Sequence, residues 1–365
     1  MKIGILTPEF PPDHSGLGDY SARLATELRR RGHEVSVWTA TRSPEMNTLF
    51  CVREFPLPWS FAKITELRRE MQEKEIDYLL VQYTPQSISP RTLGVSFLFP
   101  FWISELRAQL KKPVGITFHE VNYPMGLSLR GLLLGVPHFL QFILLAMKVD
   151  AVFFTTWPIW KWASRLPFCR KSAFWIPVGS NIPPNPVVSE VDVVKFKERH
   201  GIRADQRIIL YFGGLHPTHL ISHIKAVIME MERKLTSESV VLVCIGAKNV
   251  DRYFVTDEER RVLQRVRSFS YLSAGAVLQW LQAADLVLAP FMDGISSRRS
   301  SVMVALQQGK AVLTTFGSSS DGPIPWSDFC EVVPVESLRE YTEKAIDLIF
   351  NPSRLEQLGY SAKRA

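Results

Sequence analysis

Two adjacent arginines stand at the start of a predicted helix near the end of the chain. Residues 289–315, APFMDGISSRRSSVMVALQQGKAVLTT, read as an apolar strand end, a loop holding Arg298 and Arg299, an amphipathic helix and a second apolar strand. The first turn of a helix presents unpaired backbone N–H groups and the positive end of the helix dipole. Two guanidinium groups beside it add fixed positive charge suited to oxyanions. The pattern predicts an anion site, and a diphosphate is the ligand that fits it.

A second group of candidate residues lies in the first half of the chain. The first predicted strand is followed by PEFPPDHSGLGD, in which Gly16 and Gly18 let the backbone at a helix start approach a ligand closely. The spacing is not GxGxxG, which argues against a nicotinamide dehydrogenase, and a turn without a ligand is the alternative. His119 directly follows the apolar run Val114–Phe118, where α/β sheets present functional side chains. A structural histidine is the competing interpretation.

Strand-like runs and helical periods alternate along the chain, which predicts parallel sheets covered by helices on both faces. The predicted strands are Lys2–Thr7, Glu34–Thr39, Tyr78–Gln82, Pro113–His119, Ala151–Thr155, Ile208–Phe212, Val240–Ile245, Leu286–Ala289 and Ala311–Thr315. The predicted helices are Gly18–Arg31, Ala62–Lys74, Ile221–Lys234, Glu258–Ser268, Ala276–Ala284, Ser300–Gln308 and Glu336–Phe350. The run PVGSNIPPNPVVSEVD interrupts this alternation and reads as a linker, with the domain boundary near residues 183–192. We therefore expect two doubly wound α/β domains with ligands at the carboxyl ends of their strands.

Composition places the chain among soluble globular proteins. Of its 365 residues, 46% are hydrophobic and 22% are charged, which argues against disorder and against an integral membrane protein. Residues 1–185 carry 21 Lys and Arg against 15 Asp and Glu, so they hold +6 of the net charge of +7. This charge favours an anionic partner. The basic residues are scattered without a recognised nucleic-acid-binding motif, so nucleic acid is not predicted.

Cysteine and histidine spacing bear on compartment and metal binding. The four cysteines lie far apart, and the N-terminus runs straight into a strand, which together predict a reduced, cytoplasmic protein. We predict no metal, because there is no DxD pair and because His216, His219 and His223 lack a nearby carboxylate triad. The apolar segment 127–149 predicts a buried or interfacial helix, with peripheral contact to an anionic membrane as a further expectation.

Several stretches of the chain, taken in order, resemble the retaining glycosyltransferases of family 4. They are the opening KIGILTPEFPPDHSGLGDYSARLATELRRRGHEVSVWTA, the strand-end FHE, the hinge WIPVGSNIP, the restart ILYFGGLHP, and the late YLSAGAVLQWLQAADLVLAPF and VALQQGKAVLTT. The resemblance implies the GT-B fold, in which two Rossmann-like domains face each other across a cleft. It also implies transfer of a hexosyl or related group, with retention, from a nucleoside-diphosphate sugar to an acceptor. Neither a metal nor a cofactor is implied.

The resemblance assigns roles to residues in both halves. Gly16 and Gly18 match the glycine loop that lies against the donor, and His119 matches the histidine that contacts the donor sugar. Donor binding falls mainly to the C-terminal domain and acceptor binding to the N-terminal one. The domains we predict are residues 1–185, the acceptor side, and residues 190–350, the donor side. Residues 351–365 are expected to form a tail, a shortened version of the family's crossover helix.

The chain departs from the family pattern at the diphosphate and ribose positions. Gly214 and His219 stand where the family places an arginine and a lysine, and Ser296 and Val304 stand where it places two glutamates. We expect Arg298 and Arg299 to supply the lost charge from across the cleft. The predicted catalytic residue is His119, and the predicted donor-binding residues are Gly16, Gly18, Gly213, Gly214, His219, Asp293, Ser296, Arg298, Arg299 and Ser300.

The missing glutamate pair leaves a second function open. A non-catalytic GT-B-like protein that binds a nucleotide sugar or serves as a scaffold is the alternative to the enzyme. A nucleotide-sugar epimerase of the same architecture is a third hypothesis, although the chain offers few catalytic carboxylates for it. The sequence defines neither the donor sugar and nucleobase nor the acceptor, which could be a glycan, a lipid-linked sugar or a small molecule.

Overall fold

The computed structural model describes residues 1–13, 15–42, 49–89, 92–121, 129–169, 172–183, 190–214, 219–234, 239–246, 250–264, 266–320 and 322–364. The chain divides into two compact units, Met1–Asn181 and Ile182–Ala365, which we call the first and second domain. The linker predicted near residues 183–192 falls partly outside the described residues, at positions 184–189.

A parallel sheet of seven strands forms the centre of the first domain. The strands are β1 (Lys2–Thr7), β2 (Glu34–Thr39), β3 (Cys51–Glu54), β4 (Tyr78–Tyr83), β5 (Val114–Phe118), β6 (Ala151–Phe154) and β7 (Ala173–Trp175). Their order in the sheet is β3-β2-β1-β4-β5-β6-β7. β5 is buried along its whole length, which is typical of a strand covered by helices on both faces.

The helices of the first domain pack on the two faces of this sheet. They are α1 (Gly16–Arg30), α2 (Ile64–Glu73), α3 (Pro85–Ile88), α4 (Leu98–Leu110), α5 (Leu129–Lys148) and α6 (Trp157–Ala163), with a 3₁₀ turn at Phe61–Lys63 before α2. Large aromatic side chains, among them Trp102, Phe118 and Phe154, fill the core between helices and sheet.

A parallel sheet of six strands forms the centre of the second domain. The strands are β8 (Arg207–Phe212), β9 (Val240–Ile245), β10 (Arg267–Phe269), β11 (Leu286–Ala289), β12 (Ala311–Phe316) and β13 (Glu331–Pro334), in the order β10-β9-β8-β11-β12-β13. The helices are α7 (Glu190–Arg199), α8 (Ile221–Lys234), α9 (Asp257–Leu263), α10 (Ala274–Ala283), α11 (Ser300–Gln307), α12 (Leu338–Ile349) and α13 (Pro352–Arg364), with 3₁₀ turns at Val250–Tyr253 and Trp326–Asp328. Both domains are therefore doubly wound and Rossmann-like, as the sequence predicts.

One predicted helix is wrong at its end. The helix expected at Glu258–Ser268 stops at Leu263, and Arg267 and Ser268 belong to strand β10 at the sheet edge. Thr256 caps α9 and accepts a hydrogen bond from the Glu259 backbone nitrogen. The short edge strand that follows carries too few residues to interrupt the helical pattern in the sequence.

The apolar segment predicted at 127–149 forms α5, apart from positions 127 and 128, which lie outside the described residues. Phe142 and Leu145 on α5 are buried, whereas Leu140 and Met147 are exposed. In the described parts of the chain, no helix combines the length and the apolarity needed to cross a bilayer. In the predicted tail, α13 packs against β12, α11 and α12 of the second domain.

Candidate functional site

Each sheet reverses its strand order once, and the predicted site residues gather at these two places. The reversals lie between β1 and β4 in the first domain and between β8 and β11 in the second. The loops that leave two neighbouring strands diverge at such a switch point, which opens a crevice at the carboxyl ends of the strands. The two switch points are built differently.

At the β1/β4 switch point, Glu9 joins the loops that follow both strands. Its two carboxylate oxygens accept hydrogen bonds from Ser15 Oγ and from Ser87 Oγ in α3. Ser15 is also the N-cap of α1, where its Oγ accepts from the Gly18 backbone nitrogen at 3.1 Å. One carboxylate therefore fixes the start of α1 relative to the end of β4.

The two predicted glycines of α1 have different surroundings. A Cβ atom at Gly16 would meet nothing within 4 Å, whereas one at Gly18 would lie 3.2 Å from the backbone of Phe10. Gly18 is therefore needed for close packing of the loop on the helix. Gly16 has open space where a side chain would stand, and its carbonyl accepts a hydrogen bond from Asn181 Nδ2 at 3.4 Å.

His119 follows β5 and contacts the helix that Gly16 opens. Its Nε2 lies 2.9 Å from Gln82 Oε1, and the ring of Tyr20 on α1 packs edge-on at 4.7 Å between centroids. With the amide oxygen of Gln82 as acceptor, Nε2 carries the proton and Nδ1 is an acceptor. Burial lowers the pKa of His119 to about 3, so the ring is neutral at pH 7. The geometry gives a neutral hydrogen-bonding group.

At the β8/β11 switch point, both predicted arginines bind one carboxylate. Arg298 Nη2 donates to Asp293 Oδ2 at 2.8 Å, and Arg299 Nη2 donates to Asp293 Oδ1. The side chains of Arg298 and Arg299 are only 24% and 12% exposed, so neither points freely into solvent. The guanidinium carbon of Arg299 also lies 4.3 Å from the centroid of the Phe291 ring. The three charged side chains carry a net charge of +1.

Asp293 is ionised despite its partial burial. Burial raises its pKa, but the positive charges of Arg299 and Arg298 outweigh burial, and the pKa lies below the ordinary 3.8. The loop after β12 holds the loop that carries Asp293, because Ser319 N donates a hydrogen bond to the Asp293 carbonyl at 2.7 Å. Gly294 has φ of +87°, and a Cβ atom there would clash with the backbone nitrogen of Gly317. The position of the carboxylate is therefore set by the backbone.

The helix α11 begins directly after the arginines. Arg299 stands at its N-cap position and makes no side-chain cap bond, and Ser300 is the first helical residue. Ser296 is fully buried, and within the described part of the chain its Oγ has no hydrogen-bond partner. Val304, at the second position where the family carries a glutamate, is packed in the core. The loop before α11 thus carries the arginine pair and the buried Ser296 hydroxyl, and it leads directly into the positive end of the helix dipole.

His219 connects the glycine loop after β8 to this group. The Tyr211 hydroxyl donates to the Gly214 carbonyl at 3.1 Å and contacts His219 Nδ1. The His219 ring packs edge-on against Phe291, the ring that Arg299 covers, at 5.0 Å. Gly213 has φ of +147°, and a Cβ atom there would lie 3.2 Å from His219 Cε1, so a larger residue would strain the backbone and press on the imidazole. Burial raises the pKa of Tyr211, which keeps its hydroxyl neutral.

The structure thus brings the predicted residues into two groups, one in each domain. The first holds Gly16, Gly18 and His119; the second holds Gly213, Gly214, His219, Asp293, Ser296, Arg298, Arg299 and Ser300. Sequence reasoning missed their contacts, which are Glu9, Tyr20, Gln82, Ser87, Tyr211 and Phe291. Four of these, Glu9, Gln82, Tyr211 and Phe291, stand at or just after a strand end, which is the signal that could have found them. His216 lies outside the described residues. Among the residues that the structure describes, no three His, Cys, Asp or Glu side chains are grouped closely enough to hold a metal ion.

Comparison with known proteins identifies the fold. No family model matches the chain, and no curated protein does. Sucrose-phosphate synthase from Thermosynechococcus elongatus is similar in structure, with a TM-score of 0.71 at 14% identity over 100% of this chain and 93% of that chain. WaaG, a glycosyltransferase involved in lipopolysaccharide biosynthesis, gives 0.69 at 16% identity over 99% and 94%. Alr3699/HepE from Anabaena in complex with UDP gives 0.69 at 15% identity over 100% and 94%. The likeness confirms the predicted GT-B fold.

Proposed function

We propose that the protein is a glycosyltransferase that moves a sugar from a nucleoside-diphosphate sugar to an acceptor. The observation that carries this proposal is the group at the β8/β11 switch point, where two guanidinium groups and one carboxylate, with a net charge of +1, stand beside the start of α11. Such a group suits the two phosphates of a donor. Among proteins of similar fold, Alr3699/HepE is solved with UDP and with UDP-glucose, and starch synthase IV from Arabidopsis thaliana with ADP.

In this proposal, the main electrostatic task is to stabilise the departing diphosphate. Guanidinium groups and the N-terminus of α11 are held in place before the reaction, so they can stabilise charge as it develops on the leaving group. The reaction follows the retaining course of family 4, without a metal, and the leaving phosphate helps remove the proton of the acceptor hydroxyl. Neutral His119 binds a sugar hydroxyl through Nδ1 and does not act as an acid, because its pKa of about 3 keeps it unprotonated at pH 7.

Binding of nucleoside diphosphates tests the role of the arginines. We expect Arg298→Ala and Arg299→Ala each to weaken the binding of UDP or ADP by roughly ten- to hundredfold, since a charge-assisted hydrogen bond contributes about 1.5–3 kcal/mol. Arg339→Ala is the matched control, because Arg339 is an exposed arginine of the same domain that pairs with Glu343, away from the candidate site. Isothermal titration calorimetry gives the affinities. Unchanged binding in both site variants would remove the proposal.

Turnover separates the enzyme from its alternatives. A panel of nucleotide sugars with candidate acceptors should release free nucleoside diphosphate, and NMR of the product anomer should show retention. Addition of a chelator should leave the rate unchanged. Tight binding without turnover for any pair would favour the non-catalytic protein, and an isomerised donor formed without an acceptor would favour the epimerase.

The proposal includes peripheral contact between the first domain and an anionic membrane. Leu98 and Phe101 on α4 and Met147 on α5 are exposed apolar side chains, and Leu98 is 69% exposed. Lys148 Nζ lies 6.0 Å from the centroid of Phe101, so the exposed rows of the two helices adjoin. At the C-terminal end of α4 and directly after it, Arg107, Lys111 and Lys112 line a recess with Asp150, whose carboxylate pairs with Arg107. Apolar side chains beside basic ones fit the interface of an anionic bilayer.

Vesicle co-sedimentation tests this contact. The protein should bind vesicles that contain phosphatidylserine more strongly than vesicles of phosphatidylcholine alone. Leu98→Ser with Phe101→Ser should lower binding to anionic vesicles, and Val255→Ser with Tyr271→Ser, exposed positions of the second domain, should not. Equal partitioning to both vesicle types would rule out the proposed contact with an anionic membrane.

A further inference from the structure

Asp293 occupies the arginine pair in the way an anionic ligand would. Each of its oxygens accepts a hydrogen bond from a different guanidinium group, one from Arg298 and one from Arg299. Two phosphoryl oxygens of a diphosphate would make the same kind of contact. The carboxylate therefore competes for the donors that the ligand needs.

The backbone keeps this carboxylate beside the site. Ser319 N donates to the Asp293 carbonyl at 2.7 Å, and Ile295 N donates to the Thr315 carbonyl at 2.8 Å. Gly294, in the loop after β11, and Gly317, in the loop after β12, lie in close backbone contact. Because the loop is fixed, a bound diphosphate shares the arginines with a permanent negative charge close by.

We propose that Asp293 is a specificity-determining residue that favours a nucleotide sugar over the free nucleoside diphosphate. The carboxylate holds the charge of the group at +1 in place of +2, and so disfavours a ligand in proportion to the ligand's negative charge. In a nucleotide sugar both phosphates are esterified and carry one charge each. The terminal phosphate of a nucleoside diphosphate has a second ionisation near pH 6 and carries a further charge at pH 8.

This inference rests on the proposed function. If the protein transfers a sugar, the same selectivity affects the release of the nucleoside diphosphate product. Transfer of the sugar turns a ligand with two phosphate charges into one with three. A site of charge +2 would hold the product more tightly than the substrate and would slow release. The carboxylate lowers the difference between the affinities of the site for the product and for the substrate.

The test is to remove the charge while keeping the shape. Asp293→Asn should tighten the binding of UDP-glucose by about fivefold and of UDP by at least about tenfold at pH 8, so that the ratio of the two dissociation constants shifts toward UDP. Glu258→Gln is the matched control, since it removes one negative charge from an exposed position of the same domain and should change neither affinity. Asp293→Ser removes the same charge with a smaller side chain and gives a second measurement if the asparagine variant folds poorly.

The outcomes separate this inference from the proposed function. A shifted ratio in Asp293→Asn or Asp293→Ser supports it, and a loss that is equal for both ligands would mean that the carboxylate only positions the arginines, which overturns it. Unchanged affinities overturn it too. If wild-type protein binds neither UDP nor ADP, nor a sugar derivative of either, the proposed function fails and the inference fails with it.

Discussion

The two switch points share a topology but differ in charge. At the β1/β4 point, the candidate residues are a neutral imidazole, a buried amide and a carboxylate held by two hydroxyls. At the β8/β11 point, two guanidinium groups surround one carboxylate. The doubly wound fold therefore determines where a ligand can bind, while the residues after each strand determine which part of a ligand binds there. Hydroxyl groups suit the first point and phosphates the second.

The two points also differ in how they are held. Side-chain hydrogen bonds from Ser15 and Ser87 to Glu9 tie the first one together. In the second, direct backbone contact between Gly294 and Gly317 fixes the loop that carries Asp293. A change of backbone conformation should therefore damage the second point more than the loss of a side chain damages the first.

The largest effect is expected for Gly294→Ala. Gly294 has φ of +87°, and its new Cβ would overlap the Gly317 backbone, so we expect a loss of at least about 3 kcal/mol in the free energy of unfolding. Gly275→Ala, in the first turn of α10 with nothing within 4 Å of the new Cβ, is the control and should be neutral or slightly stabilising. Urea unfolding measures both. Similar stability of the two variants would show that the loop is not braced by backbone contact.

The next effect concerns pH and the first switch point. The pKa of His119 is about 3 in the folded protein against an ordinary 6.5, so the unfolded chain binds the proton more readily between these values. The folded state therefore loses stability as pH falls from about 6.5 toward 3, by up to about 2 kcal/mol between pH 7.5 and pH 5. His119→Gln should remove this part of the slope, measured by urea unfolding across pH. A variant with the wild-type slope would contradict a buried neutral imidazole.

A smaller effect should distinguish the two arginines. The Arg299 guanidinium group stacks over the Phe291 ring and also donates a hydrogen bond to Asp293. A lysine at this position keeps the charge but loses the planar group that stacks. We expect Arg299→Lys to weaken UDP binding by about tenfold and Arg298→Lys by less, since about 1.4 kcal/mol corresponds to tenfold. Calorimetric titration measures the difference. Equal losses would mean that Phe291 adds nothing to the position of Arg299.

The sequence predicts the central strands well and the edge strands poorly. β1, β2, β9 and β11 have the predicted bounds. The strands that were not predicted, β3, β7, β10 and β13, all lie at sheet edges, and they have three or four residues with mostly partial burial. An edge strand is covered on fewer sides, so its residues need no continuous apolar run. α4 was also missed, because its apolar residues crowd together without a clear helical period.

The sequence predicts that the candidate residues lie at strand ends, but it does not predict which side chains pair with each other. Residues that follow strands, such as His119 and Arg299, could be selected because the carboxyl edge of a sheet is where α/β proteins place ligands. The attachment of both arginines to Asp293 depends on the course of the loop between β11 and α11, which glycine contacts hold in place. Similarly, the link from Glu9 to Ser87 joins residues 78 positions apart. Such pairings are set by the fold and leave no spacing signal.

The smallest effect compares helix starts in the two domains. Ser15 caps α1, accepting from Gly18 N at 3.1 Å, and also donates to Glu9, whereas Ser273 caps α10 only through a 3.4 Å contact with Ala276 N. Loss of an N-cap costs about 1 kcal/mol, and Ser15→Ala should cost somewhat more than Ser273→Ala because Glu9 also loses a donor. Amide hydrogen exchange in the first turns of α1 and α10 reports each local stability separately. If Ser15→Ala loosens α1 no more than Ser273→Ala loosens α10, the bond to Glu9 does not hold the first switch point. The contrast between side-chain and backbone bracing would then be wrong.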